Sequence, residues 1–163
     1  MRLPVLLLAV ALLGWSQSQP ASAIGSRMPD FSVKDFNGRV ISSADLHGKV
    51  VIIDIWATWC APCKKEMPGY QQLEDRYGSR GLVVIGLKSS MMADTEDPRR
   101  FARKMRITYP LAAATDDLIR KFGELEGLPT TLIYDRQGIL HQKIIGFEST
   151  QTIESDLKPL LTR

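Results

Sequence analysis

The chain has 163 residues, 21 Lys and Arg against 18 Asp and Glu, a formal net charge of +3 and a 44% hydrophobic share. So small a charge excess, with both signs interspersed, predicts no particular partner and points to no nucleic acid. Two cysteines three positions apart exclude a structural disulfide framework, because such a bridge closes almost no loop, so the pair serves reactivity or metal binding.

In chain order, Arg2 is followed by an apolar run over residues 3–13, closed by Gly14-Trp15, then a polar stretch at 16–20 and the small residues Ala21-Ser22-Ala23. The run is shorter than the roughly 18 to 20 apolar residues of a membrane span, and the layout is that of a signal peptide. Residues 1–23 are therefore expected to direct export to the periplasm or an equivalent extracytoplasmic space, with cleavage after Ala23. An uncleaved signal anchor, the rival, would tie the protein to the membrane. Residues 24–163 then form one domain with a net charge of +2.

Residues 31–41 alternate around Asn37-Gly38, a hairpin signal. Residues 49–56 form a β-branched run, as in a strand buried on both faces, and 81–87 form a second. Between them, 62–77 has helical spacing at Met67, Tyr70, Leu73 and Tyr77, with Pro62 suited to the first turn. A helix is expected over 94–105, capped by Thr95. Its basic cluster, Arg99, Arg100, Arg103, Lys104 and Arg106, reads as a solvated face. A short strand at 109–113, a helix at 116–122 stopped by Gly123, strands 130–134 and 139–145 joined in a hairpin, and a helix at 150–161 complete the pattern. Pro159 is expected to fray or kink that last helix. Alternating strands and helices make the class α/β.

The chemistry is carried by Trp59-Cys60-Ala61-Pro62-Cys63. A Cys-x-x-Cys at a strand-to-helix junction sets the first sulfur beside the unpaired amides of a helix N-terminus, where negative charge is stabilised. Cys60 should be partly thiolate and attack a disulfide, and Cys63, one turn inside, should resolve the mixed disulfide. The alternative is a Cu(I) carrier using both thiolates. His47, His141, Met91 and Met92 stand at no ligand-like spacing from them, so no metal and no organic cofactor is expected.

The stretch 50–68, Val-Val-Ile-Ile-Asp-Ile-Trp-Ala-Thr-Trp-Cys-Ala-Pro-Cys-Lys-Lys-Glu-Met-Pro, resembles thioredoxin-like proteins, and specifically the TlpA/ResA-type reductases of the bacterial cell envelope. The resemblance runs over essentially all of 24–163, including an inserted segment at roughly 88–113 and Gly127-Leu-Pro-Thr-Thr131. It implies a thioredoxin fold: a mixed sheet of four or five strands flanked by helices, with an N-terminal β-hairpin and a central α/β insertion.

It also implies site residues. Pro129 resembles the family's cis-proline, whose loop faces the cysteines and presents backbone at Leu128 to an extended substrate. Asp54 resembles the buried acid of thioredoxin, where many envelope members have an amide. Such an acid should have a raised pKa and take the proton of Cys63, or else be a satisfied core acid. Glu66 matches the acid of ResA-type proteins, whose charge would raise the thiol pKa values; the alternative is a helix-start acid complementing the macrodipole. Pro68 matches the family's helix kink. Trp59, with Ala61, Pro62 and Leu128, would dock substrate, Trp56 would sit in the core, and Lys64 and Lys65 would be solvated or favour the thiolate. The implied activity is reduction of disulfides in exported proteins, apocytochrome c with its Cys-x-x-Cys-His haem site first among them, with electrons from a membrane thiol transporter. A general oxidoreductase without a cytochrome link is the alternative. A peroxidase would want Pro-x-x-x-Thr-x-x-Cys, and position 53 is Ile53.

Overall fold

The structure, a computed structural model, describes residues 23–90 and 96–162. The expected signal segment, Ala23 apart, and Thr95 lie outside the described residues.

The sheet is built on β3 (Val50–Trp56), in which every residue is buried. A β-branched run with no polar face can only sit at the centre of a sheet covered on both sides. It pairs in parallel with β4 (Leu82–Lys88), from Val50↔Leu82 to Trp56↔Lys88, and antiparallel with β6 (Thr130–Tyr134). Outside these lie β5 (Leu111–Ala113), parallel to β4, and β7 (Leu140–Ile145), antiparallel to β6, giving the order β5-β4-β3-β6-β7. A separate hairpin, β1 (Ser32–Lys34) and β2 (Val40–Ser42), turns where expected: Asp35 Oδ1 accepts the amides of Asn37 and Arg39, and Gly38 takes φ 91°.

The alternation of β3 divides the core. Val50, Ile52 and Trp56 face α1 (Ala61–Tyr77), α2 (Pro98–Met105) and α4 (Thr150–Leu161) through Met67, Tyr70, Leu73, Phe101, Ile153 and Leu157. Val51, Ile53 and Ile55 face the hairpin and α3 (Asp116–Lys121) through Phe31, Ile41, Ile119 and Phe122. Two close approaches demand glycine. A Cβ on Gly86 would collide with Leu111 and lie 2.9 Å from Trp56 Nε1, and one on Gly69 would strike the Thr150 side chain. The first sets Trp56 flat on Phe101, with ring centroids 4.9 Å apart, and the second lets α1 and α4 touch.

Two expectations are corrected. The helix over 94–105 starts at Pro98, with Asp97 and not Thr95 as its cap, accepting the Arg99 amide at 2.9 Å. The residue before a proline is pushed out of the helical region while proline suits the first helical position, so the boundary belongs there. The last helix does not fray at Pro159 but runs on to Leu161, where Leu160 and Leu161 are buried in the core.

Candidate active site

β3 ends at Trp56, and a turn closed by the Cys60 amide donating to Ala57 O at 3.1 Å brings the chain into α1. Cys60 is the N-cap of that helix, with extended backbone at φ −77° and ψ 105°. Its sulfur accepts the backbone N–H of Cys63 at 3.2 Å and is joined to the Cys63 sulfur in a disulfide. A negative charge on Cys60 would thus meet an oriented amide and the positive helix end together. Ala61 and Pro62 occupy the first helical positions and are exposed, Trp59 is 45% exposed, and Cys63 is fully buried. Trp56 lies in the core. The helix is continuous across Pro68, which cannot donate to the Lys64 carbonyl.

Register carries the opposite wall. Ile55 pairs with Thr130, so the segment entering β6 comes up at the same sheet end as the loop leaving β3. That segment holds the cis Leu128-Pro129 peptide; Pro129 is buried and Leu128 half-buried against the core that contains both cysteines. Pro129 O accepts the Gly146 amide at 2.8 Å, fastening the loop to the end of β7.

The face of β3 toward α1 also carries a buried polar group. Asp54 sits between Ile52 and Trp56 on the face toward α1, fully buried, and Glu66 on α1 is 3% exposed. That burial, and a position beyond the first turn, remove the ground for a macrodipole role. None of the four carboxyl oxygens has a well-formed hydrogen bond among the described residues. Asp54, Tyr70 and the Glu148 amide are polar neighbours of Glu66 in looser contacts. Burial pushes Asp54 up to about 8 and Glu66 up to about 9, the latter helped by the Asp54 charge. Two acids so close lose their protons as a pair. At neutral pH the pair is therefore largely protonated, and the charge by which Glu66 would act on the thiols is present only in alkali. Burial likewise drives the hydroxyls of Tyr70 and Tyr109 upward, reinforced by charge on these acids.

Sequence reasoning missed the hydroxyls. Tyr70 shares a 2.8 Å hydrogen bond with Thr131, which stands opposite Asp54 in the β3–β6 register; Tyr70 was legible only as an apolar helix position. The two histidines are exposed, and the described residues contain no cluster of three metal-ligating side chains. Met91 and Met92 lie outside the described residues.

A strand-to-helix Cys-x-x-Cys facing a cis-proline loop on this sheet defines a thioredoxin-fold thiol-disulfide oxidoreductase. Residues 24–143 match the AhpC/TSA family, to which the chain belongs. It is 30% identical to the thiol-disulfide oxidoreductase ResA of Geobacillus thermodenitrificans, over 98% of this chain and 94% of that one. With ResA of Bacillus cereus the identity is 31%, over 90% and 84%. The solved thiol:disulfide interchange protein of the thioredoxin family from Chlorobium tepidum matches with a TM-score of 0.77 at 31% identity, covering 85% of this chain and 98% of that one.

Proposed function

We propose that the protein is an exported reductase of protein disulfides. Cys60 attacks as thiolate, forming a mixed disulfide and expelling one substrate thiolate; Cys63 then attacks Cys60, releasing the second and leaving Cys60–Cys63 oxidised. The observation that carries this is the Cys63 amide directed at Cys60 Sγ, 3.2 Å away at the start of α1. Asp54 and Glu66, buried carboxyls, accept its proton in the second step in the molecules where the pair is ionised, directly or through water, so this step quickens toward alkali. Trp59, Ala61 and Pro62 on one side and Leu128-Pro129 on the other receive an extended substrate segment.

Residues 1–23 export the chain, and apocytochrome c, whose haem site is itself a Cys-x-x-Cys, is the substrate class the ResA likeness favours. Reduction outside the cytoplasm needs an electron source, for which a membrane thiol transporter is the partner. No helix among the described residues is long and apolar enough to cross a membrane. The test is the reduction potential, measured against glutathione, together with turnover of an oxidised Cys-x-x-Cys-His peptide. A value close to the roughly −270 mV of thioredoxin supports reduction; one close to about −120 mV, that of a strong oxidant, refutes it.

A further inference from the structure

The sheet register leaves Asp54 with few partners. Its neighbour on β4 is Gly86, which has no side chain to offer, and its neighbour on β6 is Thr131. Residues directly opposite one another on paired strands point to the same face, so Thr131 stands beside Asp54 on the face toward α1. From α1 come Glu66 and Tyr70, both buried and one helical turn apart, hence on one side of the helix. The Tyr70 hydroxyl shares its 2.8 Å hydrogen bond with Thr131, and either oxygen can be the donor. Tyr70 is also a hydrogen-bonding neighbour of Glu66, and Glu66 of Asp54. The segment after β7 is drawn to α1 by Phe147, whose ring lies 4.2 Å from Lys65 Nζ, and brings the Glu148 amide to Glu66. From the segment before β5 comes Tyr109, a buried hydroxyl with no hydrogen-bond partner among the described residues, near both acids and Glu74. Among the described residues no lysine or arginine acts on Asp54 or Glu66, so a charge on them is met by hydroxyls and one amide.

We propose that Tyr70 is a positioning residue for the proton step: its hydroxyl turns from Thr131 to Glu66 when the carboxyl pair loses a proton. The inference rests on the function proposed above and names what prepares its proton acceptor. In the ionised pair Thr131 donates to Tyr70, Tyr70 to Glu66, and the proton left on the pair bridges Glu66 and Asp54, so each O–H is directed at the one negative charge. Hydrogen bonds to charged groups are the stronger ones, and a chain of them polarises its members. When Cys63 gives up its proton, the S–H bond breaks, an O–H bond forms on the pair, and the thiolate attacks Cys60. The Tyr70 O–H then turns back to Thr131. Tyr70 keeps its own proton throughout, since burial holds that proton far into alkali.

The test first titrates the disulfide-closed protein, in which no thiol ionises, with Asp54→Asn added so that Glu66 titrates alone. Carbon-13 NMR of glutamate-labelled protein follows the Glu66 carboxyl, identified by its loss in Glu66→Gln. Tyr70→Phe should raise the Glu66 midpoint by about one pH unit. Thr131→Val, which keeps the tyrosine, should raise it by about 0.3–0.5 unit, and Thr131→Ser should leave it in place. With Asp54 restored, Tyr70→Phe should slow mixed-disulfide resolution on an oxidised Cys-x-x-Cys-His peptide about fivefold at pH 7 and converge on the wild-type rate in alkali. A Glu66 midpoint that Tyr70→Phe does not move, or resolution slowed equally at every pH, overturns the role of Tyr70 and leaves the reductase function standing. A wild-type protein that forms no mixed disulfide with the peptide overturns the function, and the NMR midpoints still decide whether Tyr70 donates to Glu66.

Discussion

Replacing Asp54 with Asn removes an acid that the fold must keep protonated, and the cost of keeping it so can be worked through. Its folded pKa of about 8 lies above the ordinary aspartate value, and burial is the cause. Below about pH 4 both folded and unfolded chains hold the proton, and it contributes nothing to the difference. Between about 4 and about 8 only the folded chain holds it, so the unfolded state gains about 1.4 kcal/mol for each pH unit. At pH 7 this amounts to about 4 kcal/mol against the fold, a large share of the roughly 5–15 kcal/mol that holds a domain together. Asn cannot ionise and escapes that penalty. In urea unfolding of the disulfide-closed protein, with a slope near 1.5–2 kcal/mol per molar, Asp54→Asn should raise the midpoint by about 2 M at pH 7. The gain should shrink to under about 1 kcal/mol at pH 4.5. A gain equal at both pH values, or a loss at both, would refute the assignment of Asp54 as a buried, protonated acid.

Other outcomes follow from the same coordinates. The rate of mixed-disulfide resolution in the wild type should rise with pH through the region of about 8 to 9 as the buried pair ionises, and Glu66→Gln should move or remove that rise; an unchanged profile, followed by stopped flow, would separate Glu66 from the proton step. Phe101→Ala takes away the ring stacked on Trp56 and should cost about 3–5 kcal/mol in denaturant unfolding, since a fully packed core cannot close the gap. Gly86→Ala forces a methyl against Leu111 and Trp56 and should cost about 1–3 kcal/mol; a neutral result would mean that β4 and β5 shift freely under Trp56.

Much of the fold was legible because local pattern and final burial agree. The run at 49–56 could only be a central strand, and Met67, Tyr70, Leu73 and Tyr77 mark the face of α1 that is buried. The start of α2 was misplaced because Thr95 is as good a cap by type as Asp97, and the decisive signal was the proline after Asp97. Pro159 misled because helix propensity is local while the burial of Leu160 and Leu161 comes from tertiary contact.

At the site, the cysteines, the cis-proline and the two acids could be named from spacing and likeness, yet their interaction could not. That Asp54 and Glu66 face one another depends on the packing of α1 over β3, and the Tyr70 to Thr131 bond joins residues 61 positions apart. Phe147 gave no signal at all. It follows a strand-ending glycine, and only the fold shows that Lys65 of α1 lies over its ring.

The central claim is that Cys60 is the attacking thiolate and Cys63 the resolving one. Reduced Cys63→Ser and Cys60→Ser proteins should each be mixed with a disulfide-bonded protein substrate and the adducts mapped by mass spectrometry. The account predicts a stable mixed disulfide on Cys60 in the first protein and almost none in the second, whose remaining thiol is fully buried. Adducts forming instead on Cys63 of the Cys60→Ser protein, with none on Cys60, would contradict it.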